Sequence, residues 1–221
     1  DRSLQHAVQT SRKDNSSIIY LSATPSKTMQ KLVEKKKLNA IKIPQRYHGH
    51  PLPVPRFEWC GNWGKKLEKG KLPPNILKWI QAQQTQAFLF VPRIEHIDKV
   101  LNILQDSKVA GVHAEDPDRK EKVAKFRKGD IQTLVTTTIL ERGVTVPNVQ
   151  VAVLGADDQI FTESALVQIA GRVGRSAAHP VGDICFFHYG KTKAMVEARK
   201  QIVKMNEEAR RLADREPVSN L

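Results

Sequence analysis

Residues 168–175 read Gln168-Ile-Ala-Gly-Arg172-Val-Gly-Arg175 and close an apolar helical pattern that begins near residue 163. The two arginines are three residues apart, so on a helix their guanidinium groups would share one face. Each guanidinium can donate paired hydrogen bonds to phosphate oxygens, and the interspersed glycines allow close approach. The stretch therefore predicts a phosphate contact, with one alternative: a basic helix end that binds its own C-terminal carbonyls.

Short apolar runs alternate with helical patterns on the way to this stretch and beyond it. The apolar runs cover residues 87–91, 109–112, 131–135, 149–154 and 184–187, and the helical patterns cover residues 94–104, 117–128, 163–175 and 192–212. Residues 17–21 resemble one more strand, after a short amphipathic helix. Strands that alternate with helices across short loops are typical of a parallel α/β sheet, which is the fold predicted here.

The composition is that of a globular protein with a basic surface. Of 221 residues, 40% are hydrophobic and 27% charged, which excludes collagen-like and mostly disordered chains. The formal net charge of +13 favours a polyanionic partner, most often nucleic acid. Cys60 and Cys185 are too few for a zinc cluster or a disulfide framework, so no metal site is predicted and a reducing cytoplasm is expected.

The basic excess is concentrated in residues 26–80, which hold 13 Lys and Arg, three Glu and no Asp. The segment also contains all three tryptophans, Trp59, Trp63 and Trp79, which are candidates for base stacking. Its prolines predict an irregular connection over residues 44–75, with one short strand at residues 57–60. The charge is consistent either with a DNA path or with a solvated face.

Five motifs, taken in chain order, resemble those of superfamily-two helicases. Ser22-Ala-Thr24-Pro resembles the motif that closes the first of two RecA-like domains, and Phe-Leu-Phe-Val-Pro92-Arg93 resembles the fourth motif. His113 stands where the family places a histidine between a strand and a helix. Residues 134–147, which include Thr137, Glu141 and Gly143, resemble the fifth motif, and residues 168–175 resemble the last.

Four longer runs narrow the resemblance to one family. Residues 47–53, 136–145, 161–168 and 187–195 are similar to ComFA, the late-competence ATPase of Gram-positive bacteria, which is related to the replication-restart helicase PriA. The resemblance covers essentially the whole chain. It implies the C-terminal part of a cytoplasmic, ATP-dependent DNA helicase or translocase for single-stranded DNA uptake. Competence proteins would be its partners and would bring it to the inner face of the membrane.

The resemblance also implies roles for individual residues. Arg172 and Arg175 would reach ATP as catalytic groups from the second RecA-like domain, with Gln168 positioning water or phosphate. Glu141, Gly143 and Gly171 would contact the nucleotide. Residues that bind single-stranded DNA or couple it to ATP would be Ser22, Thr24, Pro92, Arg93, His113 and Thr137. Thr145 departs from many relatives, which carry there an Asp that often binds the ribose.

Two parts of an ATP site are missing from the chain as given. It has no Gly-x-x-x-x-Gly-Lys stretch and no Asp-Glu box, so ATP and Mg²⁺ would be bound mainly by an absent first domain. The chain alone is therefore predicted to be inactive. Gly190-Lys-Thr192 only imitates a phosphate loop, because Cys185 replaces its first glycine. Asp157 and Asp158 are interpreted as solvent-facing turn residues.

The predicted organisation has four parts. Residues 1–25 would end the first RecA-like domain, residues 26–80 would be the basic connection, residues 81–191 the second RecA-like domain, and residues 192–221 a C-terminal helix. Two alternatives stay open at this point: a PriA-like replication-restart helicase domain, and a RecA-like module without hydrolytic activity that binds nucleic acid or a partner. The motifs do not separate unwinding from translocation.

Overall fold

The structure is a computed structural model that describes residues 2–138 and 146–214. Its contacts define two compact units, Asp1–Asn39 and Ala40–Leu221. The first unit contains helix α1, Arg2–Ser11, and helix α2, Lys27–Glu34. The helix predicted before residue 17 is thus present as α1. The strand predicted at residues 17–21 is wrong: these residues are irregular, and the described part of this unit contains no strand.

The second unit is a six-stranded sheet with helices on both faces. Its elements are β1 Arg56–Trp59, α3 Trp63–Glu68, α4 Pro74–Gln81, β2 Ala87–Phe90, α5 Ile94–Leu104, β3 Val109–Val112, α6 Arg119–Lys128, β4 Thr133–Thr136, β5 Gln150–Leu154, α7 Glu163–Ala170, β6 Ile184–His188 and α8 Lys193–Ala213. All paired strands are parallel, in the order β1-β6-β5-β2-β4-β3. The predicted parallel α/β fold is confirmed.

Both faces of this sheet are covered, which explains why its central strands are continuously apolar. Every residue of β2 is fully buried. On one face, Phe88 and Phe90 of β2 belong to a core cluster with Phe126 of α6 and Leu166 of α7. On the other face, Leu89 joins a cluster formed with α3, α4 and α5. The helices that follow each strand therefore supply both cores.

Residues 44–75 are more regular than their prolines predict. β1 pairs with β6 at the edge of the sheet, and α3 places Leu67 in the core. The prolines up to residue 55 precede the strand, and Pro74 occupies the first turn of α4, where a missing N–H costs nothing. The strand predicted at residues 57–60 is confirmed as β1, shifted by one residue, whereas the prediction of an irregular connection is wrong for α3, because proline is disruptive only inside an element.

The strand register aligns the carboxyl ends of three neighbouring strands. Phe90 of β2 pairs with Thr136 of β4, which in turn pairs with Val112 of β3. The residues that follow these three strands consequently emerge at the same edge of the sheet. Among the described residues, no helix has both the length and the apolar character needed to cross a bilayer.

Candidate functional site

The carboxyl edge of β2, β4 and β3 brings together four of the residues predicted to bind nucleic acid. Pro92 and Arg93 follow β2, Thr137 follows β4, and His113 follows β3. Pro92 and Thr137 are buried, whereas Arg93 is exposed and lies 3.6 Å from the Glu95 carboxylate. Ser22 and Thr24 belong to the first unit, where the Ser22 hydroxyl accepts a hydrogen bond from the Thr24 amide at 3.1 Å.

Two buried polar atoms at this edge have no hydrogen-bond partner in the part of the chain that the structure describes. They are the Thr137 hydroxyl Oγ1 and the His113 ring nitrogen Nδ1. Buried polar groups are normally hydrogen-bonded, and exceptions call for an explanation such as an incoming ligand. A hydroxyl and an imidazole nitrogen can bond to the oxygens of a nucleic-acid backbone, which would reach these buried atoms only after a local rearrangement of this edge.

The residues that follow α7 form what we call the arginine turn, residues 171–175. Arg172 is buried, and its guanidinium carbon lies 5.3 Å from the Phe88 ring centre and 5.9 Å from that of Phe90, in the range of cation–π contacts. Arg175 is exposed, and its Nε donates a hydrogen bond to the Gly171 carbonyl at 3.1 Å. The two arginines thus occupy different environments.

The predicted common helix face of Arg172 and Arg175 is wrong. Helix α7 ends at Ala170, Gly171 is its C-cap residue, and Gly174 has a φ of 69°, which only glycine adopts readily. The chain therefore turns between the two arginines. Gln168, the other predicted catalytic residue, is exposed in the last turn of α7. Glu141, Gly143 and Thr145 lie outside the described residues.

A segment that the sequence analysis left out of the site contacts the arginine turn. The Arg46 guanidinium donates to the carbonyls of Gly171, Val173 and Gly174, and the His48 ring nitrogen Nε2 lies 3.1 Å from the Gly174 carbonyl. The His48 side chain is half-buried. The only sequence signal for these contacts is the similarity of residues 47–53 to one family, which gives no geometry.

The two features that imitate an ATP site have structural roles. Asp157 is half-buried, and its Oδ1 accepts hydrogen bonds from the Trp63 indole at 3.2 Å and the Tyr189 amide at 3.0 Å, so the expectation that it faces solvent is wrong. Thr192 caps α8 by accepting from the Met195 amide at 3.3 Å. Within residues 2–138 and 146–214, no group of His, Cys, Asp and Glu side chains is arranged to hold a metal.

Neither cysteine has the environment of a nucleophile. Burial raises the pKa of Cys60 to about 12, with a further contribution from the Asp157 charge, and burial also raises the pKa of Cys185. Both thiols therefore stay protonated at neutral pH, whereas a reactive cysteine needs a thiolate.

The three tryptophans of the basic segment differ in exposure. Trp79 is buried and its indole donates to the Asp183 carboxylate at 2.6 Å, and Trp63 is half-buried against Asp157. Trp59 is 66% exposed at the carboxyl end of β1. Of the three, Trp59 is therefore the one whose ring is most accessible to a base.

The fold and these motifs define the C-terminal RecA-like domain of a helicase. Residues 69–177 match the model of the helicase conserved C-terminal domain, and this part of the chain belongs to that class. Among solved structures, S. cerevisiae Dbp5 bound to RNA and ADP BeF3 aligns with 90% of this chain and 51% of its own, at a TM-score of 0.57 and 19% identity. That likeness concerns the fold.

Within this class, the chain is a homologue of the competence protein ComFA. It is 52% identical to ComFA of Bacillus subtilis over 94% of the chain and 46% of that relative. It is 39% identical to ComFA of Streptococcus pneumoniae over 93% of the chain and 49% of that relative. The chain thus spans about half the length of these curated relatives.

One ion pair beside His113 gives a pH-dependent prediction. Asp116 is buried, and its carboxylate accepts from Lys122 Nζ at 2.8 Å and from the Asp118 amide at 2.9 Å. Burial alone would raise the pKa of the Asp116 carboxyl, but these hydrogen bonds hold it below the usual 3.8. Because the folded pKa is depressed, the pair stabilises the fold above pH 3.8 and loses this effect as the pH falls further.

We therefore expect Asp116→Asn to lower the free energy of unfolding by roughly 1–2 kcal/mol at pH 7. Urea unfolding of both proteins between pH 7 and pH 3 should show this difference shrinking in acid. Asp118→Asn is the matched control, because Asp118 is exposed and its side chain makes no capping bond. A difference that stays constant with pH would contradict the assignment.

Proposed function

We propose that the chain is the motor domain that completes an ATP-dependent DNA translocase or helicase, and that this motor drives single-stranded DNA uptake in natural competence. The observation that carries the proposal is the joint presence of the arginine turn and the unpartnered polar edge on one RecA-like sheet. The similarity to two ComFA proteins supports the biological setting.

In this proposal, the nucleic acid crosses the carboxyl edge of β2, β4 and β3. Thr137 and His113 supply hydrogen-bonding groups, and exposed Arg93 supplies a positive charge. Such groups contact the backbone rather than base edges, so the strand can move without its sequence being read. That property suits a protein that must handle any incoming DNA.

The ATP contact in this proposal is made by the arginine turn. Arg175 is exposed, and its guanidinium can donate paired hydrogen bonds to phosphate oxygens. The phosphate in this proposal is the terminal phosphate of ATP, whose bond is hydrolysed. In this proposal, the phosphate-binding loop and the Asp-Glu box that would bind ATP and Mg²⁺ are supplied by another RecA-like domain, because the sequence contains neither motif. In this proposal, Gln168, which is exposed in the last turn of α7, orients a water or a phosphate oxygen.

A second candidate function is a RecA-like module that binds DNA without hydrolysing ATP. The observation in its favour is the bond from Arg175 to the Gly171 carbonyl, which is how a basic residue stabilises its own helix end. The two candidates differ in what happens when Arg175 is removed.

The chain alone should show no DNA-stimulated ATP hydrolysis. It lacks the phosphate-binding loop and the Asp-Glu box on which positioning of the γ-phosphate and Mg²⁺ depends. Phosphate release by residues 1–221, with and without single-stranded DNA, should equal that of a Lys191→Ala variant. The full-length protein is the positive control. ATP hydrolysis that stays with residues 1–221 through every purification step would contradict the prediction.

In the full-length protein, Arg175→Ala should lower ATP turnover by about 10³- to 10⁵-fold, as removal of an arginine finger does. Affinity for single-stranded DNA should change little, because a finger acts mainly in the transition state. Arg172→Ala should also lower turnover, but Arg172 packs on Phe88 and Phe90, so its unfolding curve must be measured in parallel. Arg210→Ala, an exposed arginine on α8, is the matched control.

Normal hydrolysis combined with lost DNA affinity in both variants would place these arginines on the nucleic-acid face. Normal hydrolysis with normal DNA binding would favour the helix-end role that defines the second candidate.

The chain should bind single-stranded DNA weakly and with a steep salt dependence. Each phosphate contact contributes a slope of about −0.7 in log K against log salt, so about four contacts give a slope near −3. Trp59→Ala should weaken binding by about 1–3 kcal/mol if the exposed ring stacks on a base, and Trp59→Phe should restore part of the loss. Ile43→Ala, which removes another exposed apolar side chain, is the control.

Two lysine variants test which charges contribute to this binding. One reverses the charge of Lys35, Lys36 and Lys37, and the other reverses that of Lys65, Lys66, Lys69 and Lys71. Titration with a labelled oligonucleotide at several salt concentrations gives affinity and slope. If neither changes in either variant, the basic segment is a solvated face and DNA contact comes from the helicase motifs alone.

A further inference from the structure

Arg46 makes an unusual set of contacts with the arginine turn. Its Nη1 donates to the Val173 carbonyl at 2.7 Å and also to the Gly174 carbonyl, while Nη2 donates to the Gly171 carbonyl at 3.1 Å. One side chain therefore joins three backbone carbonyls that lie 125 to 128 residues away in sequence. The planar guanidinium fork is the group able to do this, because its donors point in several fixed directions.

Of the three carbonyls that Arg46 binds, that of Gly171 belongs to the end of α7, whereas those of Val173 and Gly174 lie in the turn beyond it. The last carbonyls of a helix have no partner within the helix and carry its negative dipole end. Gly171 is the C-cap residue of α7, and Gly174 adopts a left-handed conformation that turns the chain away. Arg46 is half-buried at this point, so its hydrogen bonds are shielded from competing water.

The neighbours of Arg46 contact the same turn. The His48 ring nitrogen Nε2 lies 3.1 Å from the Gly174 carbonyl, and the Tyr47 hydroxyl donates to the Arg175 carbonyl at 3.3 Å. Arg46, Tyr47 and His48 thus all contact backbone carbonyls of the arginine turn, from Gly171 to Arg175. These contacts leave the Arg175 side chain uncovered, and it is exposed.

Arg46 and Arg175 are also coupled directly. The Gly171 carbonyl accepts from Arg46 Nη2 and from Arg175 Nε, each at 3.1 Å. Burial, and after it the positive charge of Arg175, lowers the pKa of Arg46 below its usual value. This mutual repulsion raises the energy of Arg175 in its present place, and an anion brought close to Arg175 would relieve it.

We infer that Arg46 is a positioning residue for the arginine turn: it fixes the carbonyls of Gly171, Val173 and Gly174 so that Arg175 is presented toward a phosphate. The inference rests on the proposed function, in which Arg175 contacts the γ-phosphate. It goes beyond that function by assigning a role to a residue outside all five helicase motifs. Lysine cannot replace this arginine, because a single ammonium group cannot bridge carbonyls on both sides of the turn.

The test uses the full-length protein and four variants: Arg46→Ala, Arg46→Lys, Arg175→Ala and the double variant Arg46→Ala/Arg175→Ala. DNA-stimulated hydrolysis is measured as kcat and KM for ATP, with thermal unfolding recorded for each protein. Arg46→Ala should lower kcat by about 10- to 100-fold, since small displacements of a catalytic group have effects of this size. The KM for ATP should change much less. Arg46→Lys should recover little of the loss, and Arg210→Ala again serves as the control.

The double variant distinguishes positioning from a general effect on folding. If Arg46 acts through Arg175, the double variant should be no slower than Arg175→Ala alone, because the group being positioned is already absent. Losses that multiply in the double variant would overturn the inference. The inference would also be overturned if the loss of kcat in Arg46→Ala were fully explained by the fraction of protein that is unfolded.

Failure of the inference and failure of the proposed function give different results. If Arg175→Ala is inactive while Arg46→Ala hydrolyses ATP normally, the finger stands and the positioning role is overturned. If Arg175→Ala is fully active, the finger itself is absent and the positioning role falls with it. Amide hydrogen exchange at residues 171–175 adds a direct readout, since Arg46→Ala should increase exchange there and leave the sheet protected.

Discussion

Parallel strand pairing is the constraint on which the rest of this structure depends. Parallel strands cannot be joined by tight turns, so each connection must cross a face of the sheet, usually as a helix. The helices then bury both faces, which requires apolar residues at every position of a central strand such as β2. The same pairing brings all carboxyl ends to one edge. The polar residues that follow the strands meet there although they are distant in sequence.

Strand β2 connects the two parts of the candidate site. Its carboxyl end leads directly to Pro92 and Arg93 at the predicted nucleic-acid edge. Its alternate residues Phe88 and Phe90 point to one face of the sheet, where their rings contact the Arg172 guanidinium. Side chains in such a core interdigitate closely, so a shift of β2 is felt by its neighbours. A displacement of β2 would therefore reach Arg172, and with it the arginine turn, through the rings of Phe88 and Phe90.

Periodicity and composition predicted the strands and most helices of the second unit closely, because buried parallel strands have an unmistakable apolar pattern. The run at residues 109–112 coincides with β3, and residues 94–104 coincide with α5. The strand predicted at residues 57–60 corresponds to β1, but helix α3 was missed because the segment was interpreted from its prolines. The helix predicted over residues 163–175 runs past the end of α7 at Ala170 because the apolar spacing continues beyond that residue. Sequence motifs proposed the site residues, but no local pattern could reveal Arg46, whose partners lie more than 120 residues away.

The two arginines of the last motif, Arg172 and Arg175, differ in their burial and in the groups that they contact. Arg175 donates to a neutral carbonyl at the surface, a bond worth about 0.5–1.5 kcal/mol. A charge-assisted, bidentate bond to a phosphate is stronger than such a bond to a neutral carbonyl. Arg172 is buried between aromatic rings, where a cation loses more on leaving because its contacts are desolvated. Arg175 is thus the arginine of the motif that faces the surface, while Arg172 packs on the sheet through Phe88 and Phe90.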